Sequence, residues 1–180
     1  MPKTRPKPPG GGAPVTCVAG CPDHPKYEPG EWNKSPYQTS TNCYAYAADS
    51  RTGHPAGDKP QPGERCGTPI TAADCANVSA ASRCDGMIAA PNPPPHRAGY
   101  YPVALVVDPG VDYHWYRLDD NGKWSHKPGH GTAKNVDASG NPITNPESAD
   151  RDYSGSGGPN YSDFCGYFYV PAGGLPTGVP

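Results

Sequence analysis

Two separated segments of this chain carry the residue types from which a covalent catalyst can be built. Thr-Asn-Cys-Tyr-Ala-Tyr-Ala surrounds Cys43, Asp-Tyr-His-Trp-Tyr-Arg surrounds His114, and His126 follows in Trp-Ser-His. An ionised cysteine is a strong nucleophile toward a carbonyl carbon, and a neighbouring histidine can remove its proton. The pattern therefore predicts acyl chemistry, in which the thiolate attacks an amide and a thioester forms.

The residues before Cys43 favour the start of a helix. Positions 39–42 are Thr, Ser, Thr and Asn, which are N-cap residues, so a helix is predicted over 42–48. The backbone N–H groups and the helix dipole at such a position lower the pKa of a thiol. They would also stabilise a developing oxyanion, and Asn42 is assigned to that part of the site.

A predicted hairpin decides whether the two histidines meet. Residues 112–118 alternate as a strand does, which places His114 and Tyr116 on one face. A three-residue loop at 120–122 would pair Tyr116 with His126, so that His114 lies diagonally beside His126. A two-residue Asn-Gly turn would instead place the histidines on opposite faces. The hypothesis therefore depends on the strand register.

A cysteine on a helix, a histidine on the next strand and a second histidine across a hairpin resemble the NlpC-type papain-like peptidoglycan hydrolases. The resemblance implies that Cys43 is the nucleophile, His114 the base and His126 the residue that orients the imidazole, without a cofactor or a metal. It implies cleavage of amide bonds in bacterial cell-wall peptides. The family usually has Asp-Cys-Ser-Gly at the nucleophile, whereas this chain has Asn-Cys-Tyr-Ala at 42–45.

Further residues are assigned supporting roles in the predicted site. Tyr37 is the candidate match to the oxyanion-assisting tyrosine of that family, and Gln38 is its rival as a papain-type oxyanion donor. Trp115 and Trp124 flank the site, either as cleft walls that contact substrate or as core residues. Asp137, in a predicted turn, is an alternative third catalytic residue.

Composition predicts a folded, loop-rich protein. The chain has 23 Gly and 26 Pro, but its net charge of −2 is too small for a typical disordered chain, and 12 Tyr and 3 Trp can supply buried surface. The near-neutral charge offers no basic patch for nucleic acid, and no apolar run is long enough for membrane insertion. Nucleic-acid and membrane partners are therefore not expected.

The odd number of cysteines predicts disulfides and one free thiol. Seven Cys allow three disulfides with Cys43 left over, and disulfides persist in oxidising compartments. A helix is predicted over 71–90, in which Cys75 and Cys84 would lie about 13 Å apart, so they need different partners. The disulfide candidates are Cys17, Cys21, Cys66, Cys75, Cys84 and Cys165.

These patterns predict an α+β fold of papain-like architecture, with the helix that carries Cys43 packed on a small antiparallel sheet. Strands are expected at 103–107, 112–119, 123–127 and 164–170. Residues 1–16 are expected to be a disordered Pro/Gly-rich tail, and residues 17–180 a single catalytic domain.

The favoured function is a cysteine hydrolase of peptide or peptidoglycan substrates. The first twelve residues, MPKTRPKPPGGG, have no apolar stretch of a secretory leader. The protein is therefore expected to be secreted or delivered into a target-cell periplasm as an antibacterial effector, with an immunity protein as partner. The alternative is a non-catalytic, disulfide-rich extracellular binding or structural module whose histidines only pack.

Overall fold

The structure is a computed structural model that describes residues 20–51, 54 and 59–180. Four short helices and a five-stranded antiparallel sheet confirm the predicted α+β class. The predicted tail 1–16 and Cys17 lie outside the described residues. The helices are α1 (Pro29–Trp32), α2 (Tyr37–Ser40), α3 (Cys43–Ala47) and α4 (Cys75–Cys84). The strands are β1 (Ile88–Ala90), β2 (Tyr100–Asp108), β3 (Asp112–Leu118), β4 (Trp124–Ser125) and β5 (Asp163–Pro171).

The central strand β2 has apolar clusters on both of its faces. The sheet order is β1-β5-β2-β3-β4, and residues 101–107 of β2 are all buried. Because successive side chains of a strand point to opposite faces, Leu105 joins a cluster with Trp115 and the residues of α3, whereas Val106 joins a cluster with Tyr116 and Tyr161. Both faces of the sheet are therefore covered, although one of them is covered mainly by loops.

The predicted strands are present, but β4 is shorter than expected. Only Trp124–Ser125 pair with β3 as a strand. The next residue, His126, exchanges two backbone hydrogen bonds of 2.8 Å with Lys134, so the chain pairs with the following loop. His126 nevertheless stays beside β3, because it directly follows Ser125, the last residue of β4 that pairs with β3.

The predicted helix over 71–90 is wrong in its bounds. Helix α4 begins at Cys75, since the Asp74 carboxylate accepts a hydrogen bond of 2.7 Å from Asn77 N and so caps the helix. Thr71 is not the cap, because its backbone N–H instead donates to the Asn77 side chain. The helix ends before Gly86, whose φ of +115° favours glycine.

Two disulfides fix the ends of α4 to the rest of the fold. Cys84 is bonded to Cys66, and Cys75 is bonded to Cys165 on β5. The prediction that Cys75 and Cys84 have different partners is confirmed. Cys21 is disulfide-bonded as well, and within the described residues Cys43 is the free cysteine. These bonds are typical of proteins from oxidising compartments.

A buried arginine joins the hairpin of β3 and β4 to the helical segment. The Arg117 guanidinium donates to Asp119 Oδ1 at 2.9 Å, to Asp49 Oδ1 at 3.1 Å and to the carbonyl oxygens of Tyr46 and Lys26 at 3.2 Å. It also lies 4.0 Å from the ring centre of Tyr46 on α3. These contacts hold α3 against β3, and so set the distance between Cys43 and the histidine strand.

The two disulfides are expected to stabilise the fold unequally. The Cys75–Cys165 bond closes a chain separation of 90 residues and the Cys66–Cys84 bond one of 18. Because the entropy removed from the unfolded chain grows with loop length, Cys75→Ala/Cys165→Ala should lower the free energy of unfolding by about 4 kcal/mol, and Cys66→Ala/Cys84→Ala by about 3 kcal/mol. Guanidinium unfolding of both double variants measures this, and a larger loss for the shorter loop would contradict it.

Candidate functional site

Cys43 is the first residue of α3, as predicted from its neighbours. Asn42 is the N-cap: its side-chain oxygen accepts from Ala45 N at 3.0 Å, and its amide nitrogen donates to Pro60 O at 2.8 Å. The Cys43 side chain is 6% exposed, and its Sγ lies 3.9 Å from the carbonyl oxygen of Tyr113 on β3. The thiol therefore lies beside the start of β3, next to the residue that precedes His114.

The hairpin has the register on which the histidine hypothesis depends. Arg117 pairs with Ser125 and Leu118 with Trp124, and the loop residue Gly122 has a φ of +75°. This is the predicted three-residue loop, so the predicted register is confirmed. His114 Nε2 and His126 Nδ1 are consequently 2.7 Å apart, with the two rings perpendicular to each other.

The hydrogen bonds of this pair determine where the protons lie. His126 Nε2 is 3.0 Å from the carbonyl oxygen of Val136, which can only accept, so Nε2 carries a proton. In the neutral ring His126 Nδ1 is then an acceptor, and His114 Nε2 donates to it. Both histidines are neutral in the fold: burial and the neighbouring His126 lower the pKa of His114 well below its usual value, and burial lowers the pKa of His126 to about 4.

Two adjoining cavities open on this pair. One, of about 350 Å³, is lined by Cys43 and His114 together, and the other, of about 300 Å³, is lined by His114 and His126. Cys43 belongs to the cluster on the Trp115 face of the sheet, whereas His114 lies on the opposite face. The two side chains therefore reach the same cavity from different sides of β3.

The chemical state of the thiol differs from the prediction. Burial, with a smaller effect from the Asp112 carboxylate, raises the pKa of Cys43 to about 12. The expectation that a helix start would lower this pKa is wrong, because α3 has only five residues and desolvation of the thiolate outweighs its dipole. At neutral pH the side chain is a protonated thiol beside a neutral imidazole.

Most of the residues predicted to support the site lie elsewhere. Trp115 is fully buried against Phe168 in the core, and Trp124 packs on Tyr167. Asp137 is a turn residue whose carboxylate accepts from three backbone N–H groups, those of Ser139, Asn141 and Asp150.

Tyr37 and Gln38, the two rival candidates for an oxyanion donor, are absent from the lining of both cavities. Tyr37 begins α2, and its carbonyl accepts from Thr41. Gln38 donates to the carbonyl oxygen of His130 at 3.3 Å. Neither residue lines the cavity of Cys43, whereas the predicted Asn42 does.

Lys127 is a structural residue of the site that sequence reasoning missed. Its side chain is fully buried, and its Nζ donates to the carbonyl oxygens of Gln38, Thr41 and Gly129 at 2.7–2.9 Å. It thereby fixes the segment before α3 to the cavity wall. No local pattern distinguishes it from a surface lysine, because two of its three partners, the carbonyl oxygens of Gln38 and Thr41, come from a distant part of the chain.

The described residues contain no group of three or more His, Cys, Asp or Glu side chains arranged to hold a metal ion. Within the same residues no helix has the length and apolar character needed to cross a membrane.

Cys43 is expected to be a slow-reacting thiol. With a pKa of about 12 the thiolate fraction at pH 8 is about 1 in 10,000, against roughly a quarter for an unperturbed cysteine. Alkylation by iodoacetamide should therefore be about 2,500-fold slower in the folded protein than in guanidinium, as measured by mass spectrometry. Cys43→Ser identifies the labelled site, and fast labelling of the folded protein would contradict the assigned thiol state.

The buried histidines are expected to make the fold acid-sensitive. Because their pKa values are lowered on folding, their contribution is complete above the unfolded pKa of about 6.5 and is lost as the pH falls through the folded pKa. For His126, with a folded pKa of about 4, this amounts to about 3 kcal/mol between pH 6.5 and 4.

Urea unfolding of the wild type and of His126→Gln across this pH range measures the effect. Glutamine is uncharged at every pH, so the difference between the two curves removes the contribution of the carboxylates. The variant should lose less stability on acidification, and parallel curves would contradict the assignment.

Comparison with known proteins identifies one clear relative. The chain is 41% identical over 145 residues to insoluble matrix shell protein 1 of Ruditapes philippinarum, an alignment that spans 81% of this chain and 89% of the relative. No family model matches the sequence, and no solved structure matches the fold.

The interpretation of the chain as an NlpC-type cysteine peptidase is wrong. The finding that overturns it is the shell matrix relative, whose alignment extends over most of both chains, whereas the resemblance to the hydrolases rested on three residues and their spacing. The predicted hydrolase, amidase and antibacterial toxin functions depended on the same interpretation and are wrong for the same reason. This chain belongs to the family of insoluble matrix shell protein 1.

Proposed function

We propose that this protein is a non-catalytic, disulfide-stabilised structural component of an extracellular shell matrix. The observation that carries the proposal is the 41% identity to insoluble matrix shell protein 1 over nearly the whole of that relative. An extracellular position agrees with the disulfides, whereas delivery into a periplasm has no support. The proposed function therefore corresponds to the alternative named in the sequence analysis, a non-catalytic, disulfide-rich extracellular module.

The state of the cysteine supports a non-catalytic role. A thiol with a pKa of about 12 is not ionised at neutral pH, and its neighbour His114 resists the positive charge that proton transfer would give it. In this reading Cys43 packs at the start of α3, and the histidine pair fastens β3 to the chain after β4.

The fold suits a structural module. Two disulfides, the buried Arg117 network and the buried Lys127 fix irregular loops that have few apolar side chains to hold them. The papain-like topology stays a prediction, and it concerns the fold alone. It is supported by helix α3, which begins at Cys43 and packs on β3.

Retention on shell matrix tests the proposal. Recombinant wild type is incubated with the acid-insoluble organic fraction of decalcified Ruditapes philippinarum shell, and the fraction that resists salt and detergent washes is measured. Wild type and Cys43→Ala should be retained equally, because the thiol has no catalytic part. The reduced and alkylated chain, which lacks the fold, should be retained less.

Two results would contradict this function. One is complete removal of the wild type by the washes. The other is release of new amino groups from the matrix by wild type but not by Cys43→Ala, which would indicate amide cleavage.

A further inference from the structure

The two cavities beside the histidine pair form one cleft. They share His114, Pro128, Pro159 and Tyr161, and we call the combined space the His114 cleft. Volumes of about 300 and 350 Å³ are in the range that proteins use to hold ligands. The shared residues present two proline rings and a tyrosine ring where the cavities meet, which suits an extended chain lying across both.

Each half of the cleft has one lysine without an acidic partner. Lys134 lines the first cavity and Lys59 the second, and both side chains are half-buried. In the described part of the chain, the basic members of the ion pairs are other residues, namely Lys34, Arg51 and Arg117. Burial lowers the pKa of Lys59, and the nearby Asp112 carboxylate offsets this lowering only in part.

The carboxylate in the cleft is already engaged by the protein. Asp112 Oδ1 accepts from Tyr113 N at 2.8 Å, and Asp112 Oδ2 accepts from Tyr161 Oη at 2.8 Å. Each of its oxygens therefore already accepts one hydrogen bond from the protein, and within the described residues it forms no ion pair with either lysine. Asp112 consequently offsets the two positive charges only in part.

A third ammonium group, that of Lys127, lies close to the cleft. Lys127 lies under the wall formed by Gly129, to whose carbonyl oxygen it donates at 2.9 Å. The two histidines add no charge at neutral pH, because both are neutral. An anionic ligand would therefore meet the ammonium groups of Lys59 and Lys134, the latter 5.5 Å from the ring centre of Tyr153.

We propose that the His114 cleft binds an acidic polypeptide segment, with carboxylates of the segment paired to Lys59 and Lys134. The proposal rests on the structural role given above and names the class of matrix partner that the module holds. A peptide fits better than a sulfated polysaccharide, because two free lysines and one carboxylate give too little charge for a polyanion. The proline and tyrosine walls offer apolar surface to side chains between the acidic residues.

Fluorescence anisotropy with short peptides tests the proposal on the full-length, oxidised protein. The probe is a labelled peptide of eight residues that alternates Glu with Val, and its matched control alternates Gln with Val. Because the double variant removes both charge pairs with the peptide, Lys59→Gln/Lys134→Gln should weaken binding of the Glu peptide about tenfold. The Gln peptide should bind no more tightly to the wild type than the Glu peptide does to the double variant.

Lys123→Gln is the matched control variant. Lys123 is exposed directly after the hairpin loop and lines neither cavity, so its replacement removes one positive charge without changing the cleft. It should bind the Glu peptide within about twofold of the wild type, as expected for an exposed charge at a distance. Equal binding of the Glu peptide by the double variant and the wild type would overturn the proposal. So would preferred binding of a heparin fragment that responds as much to Lys123→Gln as to the double variant.

The peptide-binding assay and the shell-matrix retention assay can fail independently of each other. If the double variant is retained on shell matrix but no protein binds the Glu peptide, the structural role stands and the acidic-segment proposal fails. If the wild type binds the Glu peptide in a lysine-dependent way but washes off the matrix, the cleft assignment stands and the matrix role fails.

Discussion

The fold depends most on how Arg117 is satisfied in a fully buried position. A guanidinium can be buried only where its donors are met, and here they reach Asp119, Asp49 and the carbonyl oxygens of Tyr46 and Lys26. These partners come from α3, the loop after it, the loop before α1 and the hairpin itself. One side chain of β3 therefore sets how the helical segment lies on the sheet.

The same packing that brings Cys43 and His114 to one cavity also favours the uncharged form of each side chain. Seating α3 on β3 buries the Cys43 thiol, and desolvation raises its pKa to about 12. The hairpin register that joins His114 to His126 at 2.7 Å also removes both rings from water, which favours their neutral forms. In the fold at neutral pH, Cys43 is thus a protonated thiol close to a neutral imidazole.

A chain with this composition needs anchors other than a large apolar core. Its extended loops are fixed by buried polar groups, such as Lys127 on three carbonyl oxygens, and by the disulfides at the two ends of α4. Such anchoring leaves clefts between rigid loops, of which the His114 cleft is one. Under the structural role proposed above, the cleft would hold a partner segment without any covalent chemistry.

The sequence alone determined the features that depend on neighbouring residues. Asn42 predicted the start of α3, Gly122 predicted the three-residue loop, and alternation predicted β3 and the meeting of His114 with His126, because caps, turns and strand faces need only a few adjacent positions. The state of the Cys43 thiol and the disulfide pairing were decided only in the tertiary structure. Desolvation and covalent pairing depend on which distant segments pack together, and no local pattern records that.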